Sequence, residues 1–162
     1  MFPTKNIFSW LLFSYLGTGC TTQAQPDMSI PAEINQRVQG AMINADKRCS
    51  ANKGSFSVQN NAVRRFDLTS NGAADLLVIQ ESLFTCSTGN SIFCDAGGCH
   101  MTFITENSNL QVKGIDWELV KSKAGNDVVL ISLPKQECEN KDLQVCYKAL
   151  TVHNGYLSWQ KS

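Results

Sequence analysis

Residues 66–100 read FDLTSNGAADLLVIQESLFTCSTGNSIFCDAGGCH, and the order of their parts decides the fold. An acidic, Gly-containing turn (Asp67 to Asp75) leads into the apolar run Leu76 to Phe84, whose first four residues have no polar member. Such a run suits a central strand covered on both faces, and the turn before it suits a strand-to-strand connection. The loop that follows carries Cys86, Cys94 and Cys99 among Gly, Ser, Thr and Asn, residues of irregular backbone.

Upstream of this stretch the period is helical. Pro31 suits the first turn of a helix, where its missing N–H has no intrahelical partner to lose, and Ile34, Val38, Met42, Ala45 and Cys49 recur at three- and four-residue spacing. The expectation is one amphipathic helix from Pro31 to about Cys49, with Cys49 on the stripe that faces the sheet. From Phe56 onward the period is two. Phe56 with Val58, Val63 to Phe66, Met101 to Ile104, Leu110 to Lys123 and Val128 to Leu133 read as strands. Tyr147 to Val152 and Tyr156 to Trp159 flank His153-Asn154-Gly155, and Asn-Gly favours a two-residue hairpin turn. Met101, Phe103, Trp117 and Trp159 alternate as core residues do. The fold class expected is α+β, one N-terminal amphipathic helix packed on a mainly antiparallel sheet of about six to eight strands, stapled by disulfides.

The first 24 residues read as an export signal: Lys5 gives a positive start, and Ile7 to Leu16 is uncharged and apolar but about half the ~20 residues of a membrane span. Two processing sites compete. Thr22-Gln23-Ala24 suits cleavage after Ala24, which leaves residues 25–162 as one domain, while Leu16-Gly17-Thr18-Gly19-Cys20 is a loose lipobox that would acylate Cys20. Periplasmic location follows from the first and outer-membrane anchoring from the second, and the membrane is a partner only if Cys20 is lipidated. Either way six of the seven cysteines remain, an even number that an oxidising compartment converts to three bridges. Cys138–Cys146 closes a short hairpin. For the others, Cys86–Cys94 with Cys49–Cys99 is favoured, with Cys94–Cys99 and Cys49–Cys86 close behind.

Fourteen basic and fourteen acidic residues leave no net charge, and hydrophobic content of 43% is that of a folded domain. A balance without basic blocks excludes a general nucleic-acid binder, so no nucleic-acid partner is expected.

Within residues 67–78, Asp67, Thr69, Asn71, Ala73 and Asp75 hold positions 1, 3, 5, 7 and 9 of a calcium-loop layout, Ala73 through its carbonyl, with Gly72 at position 6. The stretch resembles the loops of FG-GAP/VCBS-type propeller blades and dockerins. It departs from them at Thr69 and Asn71, where acids are usual, and Val78 stands where an EF-hand has Glu. Either calcium organises this corner or Asp67 and Asn71 bond their own backbone in a polar turn; the cofactor is calcium or none. Zinc is disfavoured, since Cys94 and Cys99-His100 lack ligand spacing.

From Cys49 to Trp159 the chain resembles small exported cysteine-containing proteins of unknown function from Gram-negative, especially alphaproteobacterial, genomes. The resemblance rests on Cys49, Gly54-Ser55-Phe56, Asp67 to Asp75, Phe93 to Cys99 and Tyr156 to Trp159. It implies location and fold and supplies no activity. The expected function is non-enzymatic binding of a protein or envelope component, in the manner of an inhibitor or immunity protein. The alternatives are a small periplasmic hydrolase assembled from Asp95, His100 and Asp116, and a structural lipoprotein held through Cys20.

Overall fold

A computed structural model describes residues 29–89 and 92–160. The export segment, its competing processing sites and Cys20 lie outside the described residues. The run that begins at Leu76 forms strand β3 (Leu76–Gln80), and Leu76, Leu77 and Val78 are completely buried with Ile79 nearly so. Burial on both faces requires a layer on each side. Leu77 and Ile79 face a cluster with Ile34, Ala45 and Cys49 of helix α1 (Ala32–Ala51), and Leu76 and Val78 face a second cluster built on another sheet. The layers are therefore helix, sheet, sheet.

The middle sheet places β3 between β2 (Val63–Phe66) and β6 (Gly98–Ile104), all antiparallel; β7 (Asn109–Gly114) and the two-residue β5 (Cys94–Asp95) also pair with β6. The outer sheet is β11-β10-β9-β8, from β8 (Asp116–Lys121), β9 (Asp127–Pro134), β10 (Val145–His153) and β11 (Tyr156–Trp159). A third, two-stranded sheet pairs β1 (Phe56–Val58) with β4 (Phe84–Cys86). The class is as expected, α+β and mainly antiparallel, but eleven strands in three sheets among the described residues replace a single sheet of six to eight. Trp117 fills the inter-sheet cluster, edge-on to Phe66 at 5.5 Å and Phe103 at 5.9 Å between ring centres, with the Arg64 guanidinium 4.9 Å above it. Aromatic pairs in such geometry add about 0.5–1.5 kcal/mol to the burial itself.

Leu76 to Phe84 is not one strand. A 3-10 turn over Glu81–Leu83 interrupts it, because the Glu81 carboxylate turns to the Arg48 guanidinium on α1 at 2.7 Å and the chain leaves the middle sheet for β1. That change of sheet also decides the disulfides. Phe56 pairs with Cys86 across β1–β4 beneath the end of α1, so Cys86 meets Cys49. Cys94 and Cys99 stand directly opposite across β5–β6, Cα atoms 4.1 Å apart. The bridges are Cys49–Cys86, Cys94–Cys99 and Cys138–Cys146; Cys49–Cys99 and Cys86–Cys94 do not form. The His153 hairpin turns at Asn154 and Gly155, both with positive φ (50° and 73°), as the Asn-Gly pair requires.

Candidate functional site

Four surface features hold the residues that bear chemistry. The first is the Asp67 to Asp75 turn. Asp75 Oδ2 accepts from the Leu68 and Thr69 N–H groups (both 2.8 Å) and from the Thr69 hydroxyl, and Asp67 accepts from the Asn71 and Gly72 N–H groups. Asn71 Oδ1 takes the Ala73 N–H at 2.7 Å. Three of the four carboxylate oxygens and the amide oxygen thus face backbone donors, so the arrangement suits a self-closed polar turn better than a cation, which needs those lone pairs. Its outer rim is bonded to the entry of α1: Ser29 N–H donates to the Gly72 carbonyl, and Ala74 N–H to the Ser29 carbonyl.

This turn forms one wall of a cleft of about 750 Å³ against the β10–β11 hairpin tip, lined also by Glu106, Lys121, Asp127 and His153. Some of its polar groups occupy one another. Lys121 pairs with Asp127 at 2.7 Å and His153 lies 3.2 Å from the Asn154 amide. The tip itself is clamped by Thr105, fully buried, whose hydroxyl donates to the Gly155 carbonyl at 2.6 Å.

The second feature is the cysteine loop. Asp95 is ion-paired to Lys113 and accepts the Gly97 N–H at 2.7 Å; the Lys113 bond first and the Gly97 bond second hold its carboxyl below the usual aspartate value. His100 lies opposite Lys113 in the β6–β7 register. Asp116, at the start of the outer sheet, turns back to accept its neighbour's Trp117 N–H at 2.8 Å. Asp95, His100 and Asp116 are thus not gathered around one point. Among the described residues, no three His, Cys, Asp or Glu side chains stand together as a metal site would need.

The third is a polar groove of about 520 Å³ beside α1, lined by Arg37, Asn44, Arg48, Glu81, Thr102 and Gln111. Nothing in the sequence pattern singled out Glu81. Its side chain is 6% exposed, and its partner Arg48 also lies 5.2 Å over the Phe93 ring, so the pair reads as a tie between helix and 3-10 turn.

The fourth is a slot of about 820 Å³ at the opposite end of β10, between the disulfide-tied segment Cys138–Cys146 and the end of β11. Leu143, Tyr147 and Trp159 line it together with Glu137, Glu139 and Lys148. Eight large apolar residues are exposed among those described, and four of them, Leu143, Val145, Tyr147 and Trp159, fall at this end of β10. Trp159, expected in the core by its alternation, is 41% exposed, because β11 is the edge strand of its sheet among the described residues. Tyr147, at 65%, is the most exposed of them. The signal in the sequence was the density of aromatic residues in the last hairpin, which reads equally as core.

Comparison with protein-family models, with curated proteins and with solved structures found no match to the chain.

Proposed function

We propose that this chain is an exported, non-enzymatic binding domain that recognises a protein or envelope component through the slot at the end of β10. The observation that carries this reading is the concentration of exposed Leu143, Tyr147 and Trp159 around one concavity, with exposed Val145 next to it in the chain. Isolated apolar residues on a surface are ordinary, whereas a contiguous group rimmed by charges marks an interaction site, and Tyr and Trp dominate the energy of such contacts. Export is supported by the Lys5 and Ile7–Leu16 pattern and is consistent with three disulfides. The engagement of Asp67, Asp75, Asp95 and Asp116 in local hydrogen bonds argues against the hydrolase alternative, since a general acid or base needs its oxygen free toward a substrate.

The test is site-resolved cross-linking in a cell that exports the protein, with a photoreactive aromatic residue replacing Tyr147, Trp159 or, as a control, exposed Arg65. A discrete adduct at 147 and 159 with none at 65 is expected. Equal adducts at all three positions, or none, would refute the assignment of the surface.

A further inference from the structure

The polar groove beside α1 gathers three residues that folding alone does not call for. Gly40 stands in the interior of the helix, where glycine is less stable than alanine, yet nothing lies within 4 Å of where its Cβ would be, so no packing demands it. Thr102 sits on the helix side of β6, opposite Ile79 on one neighbouring strand and Gln111 on the other, and is only 5% exposed. Among the described residues, Trp117 Nε1 is the one buried side-chain donor or acceptor cut off from both partner and solvent. The Thr102 hydroxyl, which bonds to no described residue, therefore opens into the groove. A buried hydroxyl without a partner is unfavourable, and valine would fill the same volume. Arg37, one helical turn before Gly40, reaches only the Thr105 carbonyl at 3.4 Å and has no carboxylate within 4 Å among the described residues, whereas Arg48 at the far end is paired with Glu81.

Broken local rules that converge on one place mark functional positions. These three line a single groove together with Asn44 and Gln111. We infer that it is a binding site for a small carboxylate bearing peptide groups, a di- or tripeptide with a free C-terminus. It shares no lining residue with the slot at the end of β10 and does not rest on that reading. The Arg37 guanidinium receives the carboxylate in a charge-assisted bond. Asn44 and Gln111 carry amides with a donor and an acceptor each, the complement of a peptide group, and the Thr102 hydroxyl adds a bond from the floor. Gly40 leaves the room in which the ligand lies against the helix. No aromatic ring is among the lining residues, so a sugar face or planar ring finds nothing to stack on. At about 1.5 Å per residue the helix from Arg37 to Asn44 spans ~10 Å, the length of about three extended residues. The volume of about 520 Å³ is that of a small-ligand site.

The experiment titrates the isotopically labelled, disulfide-intact protein with di- and tripeptides of Gly, Ala, Ser and Val, with the same peptides amidated at the C-terminus, and with glucuronate, following backbone amide resonances. Saturable shifts at positions 40, 44, 102 and 111 are expected with the peptide acids, and binding at least tenfold weaker with the amidated peptides. Gly40→Leu fills the groove with a better helix former, so binding should fall at least tenfold while the melting temperature holds or rises. Arg37→Gln should also lose at least tenfold, which keeps the test decisive if Gly40→Leu misfolds; Thr102→Val should lose about threefold, and Arg65→Ala nothing. The absence of saturable shifts at millimolar peptide would overturn the proposal, as would binding indifferent to both Gly40→Leu and Arg37→Gln. Amidated peptides that bind as well as the acids would overturn the role of Arg37, and a preference for glucuronate would overturn the peptide class.

Discussion

Gly54 and the Cys49–Cys86 bridge should be energetically one unit. The bridge closes the longest loop of the three, with a sequence separation of 37 against 5 and 8. On the chain-entropy view its removal costs about 4 kcal/mol, against about 2 for Cys94–Cys99 and about 2.5 for Cys138–Cys146. Both its cysteines are buried, so the Cys49→Ala/Cys86→Ala variant loses some packing as well. Gly54 follows the end of α1 and lies against the sulfurs: a Cβ there would overlap the Cys86 sulfur and stand 2.8 Å from that of Cys49. Neither sulfur can retreat while bonded to the other, so Gly54→Ala should cost roughly 1–3 kcal/mol, the range for an overpacked core. With both cysteines replaced by alanine only the Thr88 hydroxyl, 2.8 Å from the same point and able to rotate away, is left, and the cost of Gly54→Ala should fall below about 1 kcal/mol. Urea unfolding of the wild type, the two single-site designs and the combined variant closes the cycle, and a coupling of at least about 1 kcal/mol is expected. Strict additivity would refute the claim that the bridge is what forbids a side chain at 54. A larger loss from opening Cys94–Cys99 than from opening Cys49–Cys86 would refute the loop-length reasoning.

Thr105→Val removes the buried hydroxyl that clamps the Gly155 carbonyl and should lower stability by about 1–3 kcal/mol, seen in urea unfolding and as faster amide exchange at the hairpin tip. Arg48→Ala leaves the Glu81 carboxylate with only the Gln111 amide at 3.5 Å; about 2–3 kcal/mol is expected, less than for a fully buried pair because Arg48 is 35% exposed, and Arg48→Leu/Glu81→Leu should cost less than Arg48→Ala alone in the same assay. Asp95 should titrate below 3.8 in carboxyl NMR and return toward that value in Lys113→Met. Since its folded-state value is the depressed one, the small stabilisation it gives is present above 3.8 and is lost as pH falls through the folded value; an unchanged titration in Lys113→Met would remove Lys113 as the cause. Millimolar calcium should leave the melting temperature unmoved if Asp67 to Asp75 is a self-closed turn, whereas saturation to a hundred times Kd would add about 2.7 kcal/mol and raise it by several degrees.

Much of the fold was legible because hydrophobic period is local. The helix, the doubly buried Leu76 to Ile79, and the Asn154-Gly155 turn each announce themselves within a few residues. Pairing was harder. A sequence cannot show that the chain leaves one sheet at Glu81 for another at Phe84, and that single crossing brings Cys86 rather than Cys99 to Cys49. Trp159 illustrates the limit on the site: alternation tells which side of a strand a residue takes, while its exposure depends on whether a neighbouring element extends far enough to cover it. The Asp67 to Asp75 spacing was readable as a calcium-loop layout, but the number of backbone N–H groups that would claim its oxygens was not, because those bonds depend on how the turn closes.

The pinning of Ser29 to the Gly72–Ala74 turn fixes the first described residue to one end of the domain. Ser29 bonds to the wall of the cleft that also contains the hairpin tip at His153, whereas the slot lies at the Val145 end of the same strand. Eight steps of strand between them amount to ~26 Å. A load applied at Ser29 and a partner seated in the slot would therefore act on opposite poles of one strand, with the β9–β10 ladder carrying the force between them.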